Sequence, residues 1–216
     1  MKNLFFKELR LVVTPGTYFF ALCAALILVP AYPYAVGMSY CLMSILINFG
    51  AARANNDQEF TAMLPIPRSR VVLAKHMTVF LTELMTLLIA VPCALVSAFL
   101  LNPNGNIVGM DANMAFFGFT LIEYSVFNII FLPWYFRTGY KTGMPMTVGL
   151  AAYLLTVIGF ELMVAFTPGL SAAIDTLHPT TYVYQGVILA AGLIVYLLVS
   201  IITYLLSVRN FAKVSL

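Results

Sequence analysis

RANNDQEFTAMLPIPRSRVVLAK, residues 53–75, is a polar stretch with four of the chain's eleven basic residues, Arg53, Arg68, Arg70 and Lys75. It lies between two apolar runs, residues 34–52 and 71–101. Each run reaches the roughly twenty helical residues that a bilayer core requires. Outward from this stretch the pattern repeats. The other Lys and Arg residues fall in three short clusters, Lys2/Lys7/Arg10, Arg137/Lys141 and Arg209/Lys213, and every interval between clusters has room for a helical hairpin. The polar segments inside those intervals, 102–113 and 167–184, carry no Lys or Arg and hold Asp111 and Asp175. Basic residues therefore return to one side of a membrane each time, as the positive-inside rule requires, and both ends of the chain are expected in the cytoplasm.

Composition agrees. With 62% hydrophobic residues, 9% charged residues and a mean hydropathy of +0.97, the chain lacks the polar surface to cover a water-soluble domain. We expect one all-α integral membrane domain, residues 1–216. The formal charge of +3 sits in membrane-flanking clusters rather than on one soluble face, which favours anionic lipid headgroups over nucleic acid as a partner. Cys23, Cys41 and Cys93 all fall in apolar runs and read as small hydrophobes. The mixed charged and aromatic start argues against a removable signal peptide.

In chain order, residues 1–13 read as an amphipathic interfacial helix that Thr14-Pro15-Gly16 breaks. Six spans are expected: Thr17 to Ala31, Tyr34 to Ala52, Val71 to Leu101, Met114 to Phe136, Met146 to Phe166 and Gln185 to Leu206. The inner end of the third, with Lys75 and His76, is expected to project into the cytoplasm, and Pro92 is placed to kink it. Trp134/Tyr135 reads as an aromatic belt beside Arg137. Asn56 with Glu59 forms a capping box for a two-turn helix that puts Phe60, Met63 and Leu64 on one face and stops at Pro65 and Pro67. Leu170 to Leu177 is expected to form a short helix before the last span, and Gly186 to Ala190 is a small-residue spacing suited to close helix approach.

Glu83, Glu123 and Glu161 lie inside expected spans, where an ionised acid costs about 2.5–3.5 kcal/mol. Either they line a polar or proton path, or each is a protonated acid bonded to a neighbouring helix. His76 and His178 have no partners at ligand spacing, so no metal site is assigned. No catalytic residues are assigned: Gly37-Met38-Ser39-Tyr40 lacks the following glycine of an intramembrane serine motif, and HExxH is missing. Gly139-Tyr140-Lys141-Thr142 lacks the preceding glycine of a phosphate-binding loop, so this chain holds no cofactor site of its own and does not hydrolyse ATP alone.

The order of an inner amphipathic helix, two spans, a short capped helix, four more spans and a partly helical outer segment resembles the type 2 ABC exporter permeases. The stretch from Asn55 to Lys75, with Leu64-Pro65-Ile66-Pro67-Arg68 before the third span, is similar to that family's segment, and Phe6-Lys7-Glu8-Leu9 suits its opening helix. Within the family, the small size resembles bacterial peptide exporters, including permeases that secrete phenol-soluble modulins. The resemblance implies a bacterial plasma-membrane permease whose coupling helix meets a separate ABC ATPase through Asp57, Glu59, Phe60, Met63, Leu64, Arg68 and Arg70. It implies two ATPase copies carrying ATP and Mg, a second permease copy in a homodimer, and amphipathic peptide export by alternating access. An ion-gradient-driven transporter using Glu83 and Glu123, or a noncatalytic immunity or assembly factor, are the competing readings.

Overall fold

Apolar runs of this length leave their backbone groups no water to bond, so they must satisfy them internally as helices. The computed structural model describes residues 6–8, 14–29, 31–57, 60–61 and 65–214, and among these no strand occurs. Helix α1 spans Pro15–Leu22, with Pro15 in the first turn where its missing N–H costs nothing. It continues as a 3-10 turn, Cys23–Leu28. Then follow α2 (Tyr34–Ala54), α3 (Arg68–Val96, prolonged by a π-helical turn to Leu101), α4 (Met114–Arg137), α5 (Gly143–Phe166), the seven-residue α6 (Pro168–Ile174), and α7 (Tyr182–Ala212), entered through a 3-10 turn at Pro179–Thr181.

Five of these helices, α2, α3, α4, α5 and α7, are long and apolar enough to cross a membrane. The first expected span is shorter. Its eight α-helical residues and six 3-10 residues reach about 24 Å, against a hydrocarbon core of about 30 Å. Helix α3 runs through Pro92 to its π-helical end. The amphipathic helix expected over residues 1–13 is described only at 6–8, which are helical; the remainder, with Arg10, lies outside the described residues.

Helix α4 sits at the centre, packed along α7 on one side and α5 on the other. Its N-terminus is fixed by Asn113, whose Oδ1 accepts the Phe116 N–H at 3.1 Å while its Nδ2 donates to the Ile174 carbonyl at 2.6 Å. One side chain thus caps α4 and anchors the end of α6. The α4–α7 crossing is closest at Gly118 and Gly192. A Cβ on Gly118 would stand 2.6 Å from the Ile188 carbonyl oxygen, and a Cβ on Gly192 would run into the Gly118 carbonyl. The spacing singled out from sequence, Gly186 to Ala190, is not the contact, because a Cβ on Gly186 would meet nothing within 4 Å.

Toward the basic end, Phe49, Phe131, Tyr135, Phe136, Tyr140 and Phe211 form a continuous set of ring contacts. Tyr135 therefore belongs to the core, fully buried, rather than to an interfacial belt. Its position one helical turn from Phe131 points it at Phe49 of α2.

The Gly118/Gly192 crossing yields a test. Gly192→Val should lower thermal stability in detergent by about 1–3 kcal/mol, since backbone cannot yield as a side chain does, while Gly186→Val should change it by under about 0.5 kcal/mol.

A buried charge cluster at the basic end

Helix α2 ends in a reversal. Asn55 donates its N–H to the Ala51 carbonyl at 3.0 Å, Asn56 donates to Arg53 at 3.2 Å, and Asn56 turns the chain with a φ of 49°. Asparagine tolerates this left-handed conformation better than most residues. The Asn56 carbonyl then accepts from Phe60 N–H at 3.2 Å, as an N-cap carbonyl does, and Asp57, Phe60 and Thr61 are helical. The expected capping box differs in its backbone: Asn56 closes α2 in the left-handed region instead of standing extended, and Glu59 lies outside the described residues, as do Met63 and Leu64.

The reversal turns Asp57 inward. Its carboxylate accepts from Lys7 Nζ at 2.5 Å and from Lys75 Nζ at 3.0 Å, and Lys75 also reaches Glu8 at 2.7 Å. Lys7 stands 3.3 Å from Glu8 and bonds Thr61 Oγ1 at 2.9 Å; the Thr61 hydroxyl in turn donates to the Asp57 carbonyl at 2.6 Å. Two cations and two anions thus join residues 6–8, the segment after α2, and the base of α3. Glu8 and Lys75 are 1% and 2% exposed, which puts the cluster in the protein rather than on its surface. Lys75 does not project into solvent as expected, because two carboxylates hold its ammonium where desolvation would otherwise be prohibitive. Burial raises the Asp57 carboxyl, but Lys75 and Lys7 outweigh burial and hold it below the ordinary carboxylate range.

The neighbouring basic residues divide into tied and free. Arg68 donates to the Phe211, Ala212 and Val214 carbonyls at 3.0, 3.2 and 2.9 Å, and its guanidinium lies over the Phe211 ring. It caps the C-terminus of α7, where carbonyls and dipole both favour a cation. His76, one residue on from Lys75, faces another way, between the rings of Phe136 and Tyr204. Arg70 and Phe60 are exposed, Phe60 by 55%. Of the residues expected at a partner surface, Phe60 and Arg70 therefore face outward, and Asp57 and Arg68 are bonded within the chain. Lys7, Glu8 and Lys75 entered the sequence reading only as members of helices and basic clusters, and Thr61 not at all; none was assigned to a site. Their signal was a balance of two cations and two anions at the ends of three segments meant to converge.

The three acids of the spans are bonded to different groups, although Glu123 lies within electrostatic reach of Glu161. Glu83 on α3 accepts from Asn128 Nδ2 of α4 at 2.9 Å and from the Tyr196 hydroxyl of α7, so it ties three helices. Glu123 on α4 is buried, with no hydrogen-bond partner at Oε2 among the described residues. Glu161, at the far end of α5, accepts the Met110 N–H at 3.2 Å. Close by, Asp111 N–H donates to Asp175 Oδ1 at 2.8 Å, and burial pushes both of these carboxyls up, with Asp175 adding to the rise at Asp111. Among the described residues, no three His, Cys, Asp or Glu side chains are placed to hold a metal ion.

A family model described as ABC-2 family transporter protein matches residues 3–212. Neither curated proteins nor solved structures give a match.

Two outcomes follow from the electrostatics. Lys75→Met leaves Glu8 and Asp57 sharing Lys7 and should cost about 3 kcal/mol in thermal stability at pH 7. Because the Asp57 carboxyl is depressed in the folded chain, its contribution is present above its unfolded value of about 3.9 and is lost as pH falls below that; the variant should lose less on acidification. At the opposite end the sign reverses. Asp111 and Asp175 have raised folded values, so their stabilising contribution is present below about 3.9 and is lost as pH rises. Asp175→Asn should therefore raise the melting temperature at pH 7 and leave it little changed at pH 3.5.

Proposed function

This chain belongs to the ABC-2 transporter family, and from that premise we propose that it is the permease subunit of a bacterial ABC exporter, driven by a separate ATPase through the segment around Phe60. In this reading α1 with its 3-10 extension makes a sixth crossing, and both termini and the basic end lie in the cytoplasm of a bacterial plasma membrane. Two permease copies form a homodimer above two ATPase subunits that carry ATP and Mg. Amphipathic peptides are exported by alternating access at the dimer interface.

The observation that supports the coupling role is the Lys7/Glu8/Asp57/Lys75 cluster, which is bonded through Lys7 to Thr61, the residue after exposed Phe60. A partner groove that takes up Phe60 grips the segment, and Arg70 lies at the rim, where charge sets orientation more than affinity. Displacing that segment moves Asp57. Since Asp57 shares its carboxylate between Lys75 on α3 and Lys7 of the N-terminal helix, both must follow, or the cluster must break at the cost of buried, unpaired charge. A rigid-body tilt of α3 is the less costly response. Nucleotide binding drives the tilt only to the extent that the ATPase holds the segment differently in its two states.

Glu83 is assigned the bland role in this scheme, a bond between helices. Glu83 and Glu161 are each bonded to their own neighbours, which supports the interhelical role for those two, while Glu123 lies within electrostatic reach of Glu161 and Tyr153.

Cysteine placed at position 60 tests the contact. In membranes that hold the chain with its ABC ATPase, Phe60→Cys should crosslink to the ATPase, and Phe60→Asp should reduce co-purification by at least about tenfold. A complex that assembles equally well with Phe60→Asp would rule out this segment as the docking element.

A further inference from the structure

Helices α3 and α7 meet sparsely, with α4 forming the floor between them. Toward the basic end they enclose a cavity of about 420 Å3, within the size range of small-ligand sites. By register, Arg68 closes it below through its bonds to the last carbonyls of α7, and the Glu83–Tyr196 hydrogen bond closes it above. The mouth is apolar: Met77, Leu197 and Ile201 line it and are exposed. The interior is not. Asn128 and Thr203, 5% and 0% exposed, also line the cavity, as does His76, and among the described residues Asn128 Oδ1, Thr203 Oγ1 and His76 Nε2 have no hydrogen-bond partner. Asn128 has committed its Nδ2 to Glu83, which leaves Oδ1 an acceptor only.

The other half of the same groove repeats this composition. A cavity of about 390 Å3 has exposed Leu95 and Phe99 at its mouth and fully buried Gln185 in its lining. Gln185 Nε2 donates to the Thr176 carbonyl and the Thr181 hydroxyl, and its Oε1 has no partner among the described residues. An amide acceptor without a donor therefore occurs in both halves, and such groups are costly to bury unpaired.

We propose that the α3–α7 groove is a binding site for neutral, monoacyl-type amphiphiles that enter sideways from the bilayer, with the apolar chain against Met77, Leu197 and Ile201 and a hydroxyl or amide N–H donating to Asn128 Oδ1 and Thr203 Oγ1. The apolar mouth sets the route of entry. Among the described residues no Lys or Arg lines the cavity, so an anionic head would find no cation there; Asn128 Oδ1 can only accept and so selects for a donor, while the Thr203 hydroxyl can either accept from or donate to the same head. The site is independent of the coupling cluster, since Lys75 and His76 point from adjacent positions of α3 to different sides.

The test uses the full chain in phosphatidylcholine nanodiscs and a monoacylglycerol with a diazirine on its acyl chain. Crosslinks should map to residues 73–80 and 197–204. Unlabelled 1-monooleoylglycerol should compete about tenfold better than methyl oleate, which has the same chain and no donor. Thr203→Val should shrink that ratio while labelling persists, and Ile201→Trp, at the mouth, should abolish labelling. Equal competition by the two lipids would overturn the proposal using the unmodified chain alone. So would labelling spread evenly over the apolar faces of α5 and α7, or labelling blocked because a second copy of the chain covers this face.

Discussion

Four charges taken out of water hold the basic end of this protein together. Lys75 and Glu8 are almost wholly buried, and each is tolerable there only because the other stands 2.7 Å away and because Asp57 and Lys7 complete the set. This constraint fixes where residues 6–8 lie, how the chain leaves α2, and which face of α3 turns inward at its base. Removing any one member strands its partner, so the three segments are linked far more tightly than their apolar contacts alone would achieve.

Above the cluster, the bundle is organised around α4. Its glycine at 118 lets α7 approach to backbone contact, and Asn113 fixes its far end to α6. In hydrocarbon there is little hydrophobic force between helices, so close packing and polar ties decide which helices meet. The ties here are Glu83 with Asn128 and Tyr196, and Arg68 with the end of α7. Beyond these ties α3 meets α7 through ring contacts, His76 with Tyr204 and Phe80 with Tyr196.

Much of the fold was legible in the sequence, for a physical reason. Bilayer-length apolar runs and basic clusters are one-dimensional signals, and α2 to α5 begin and end within a few residues of where those signals change. What depends on which way a helix faces was not legible. Gly186 and Gly192 look alike in sequence, yet only Gly192 meets α4. Tyr135 sits where a belt residue would, yet its side chain turns to Phe49. Lys75, Asp57 and Arg68 read as solvated charges because nothing local reveals partners 18, 50 or 143 positions away. The helical reversal at Asn56 supplies the missing information, since a left-handed residue there turns Asp57 inward and leaves Phe60 outward.

Reversal of the whole cluster reaches the central claim most directly. In the permease–ATPase complex reconstituted into proteoliposomes, ATP turnover that depends on the permease should collapse with Asp57→Lys and with Lys75→Glu, and should recover substantially when Lys7→Glu, Glu8→Lys, Asp57→Lys and Lys75→Glu are combined, because each of the four contacts then again joins opposite charges. A fourfold variant as inactive as either single one, or a single reversal with normal turnover, would contradict the account.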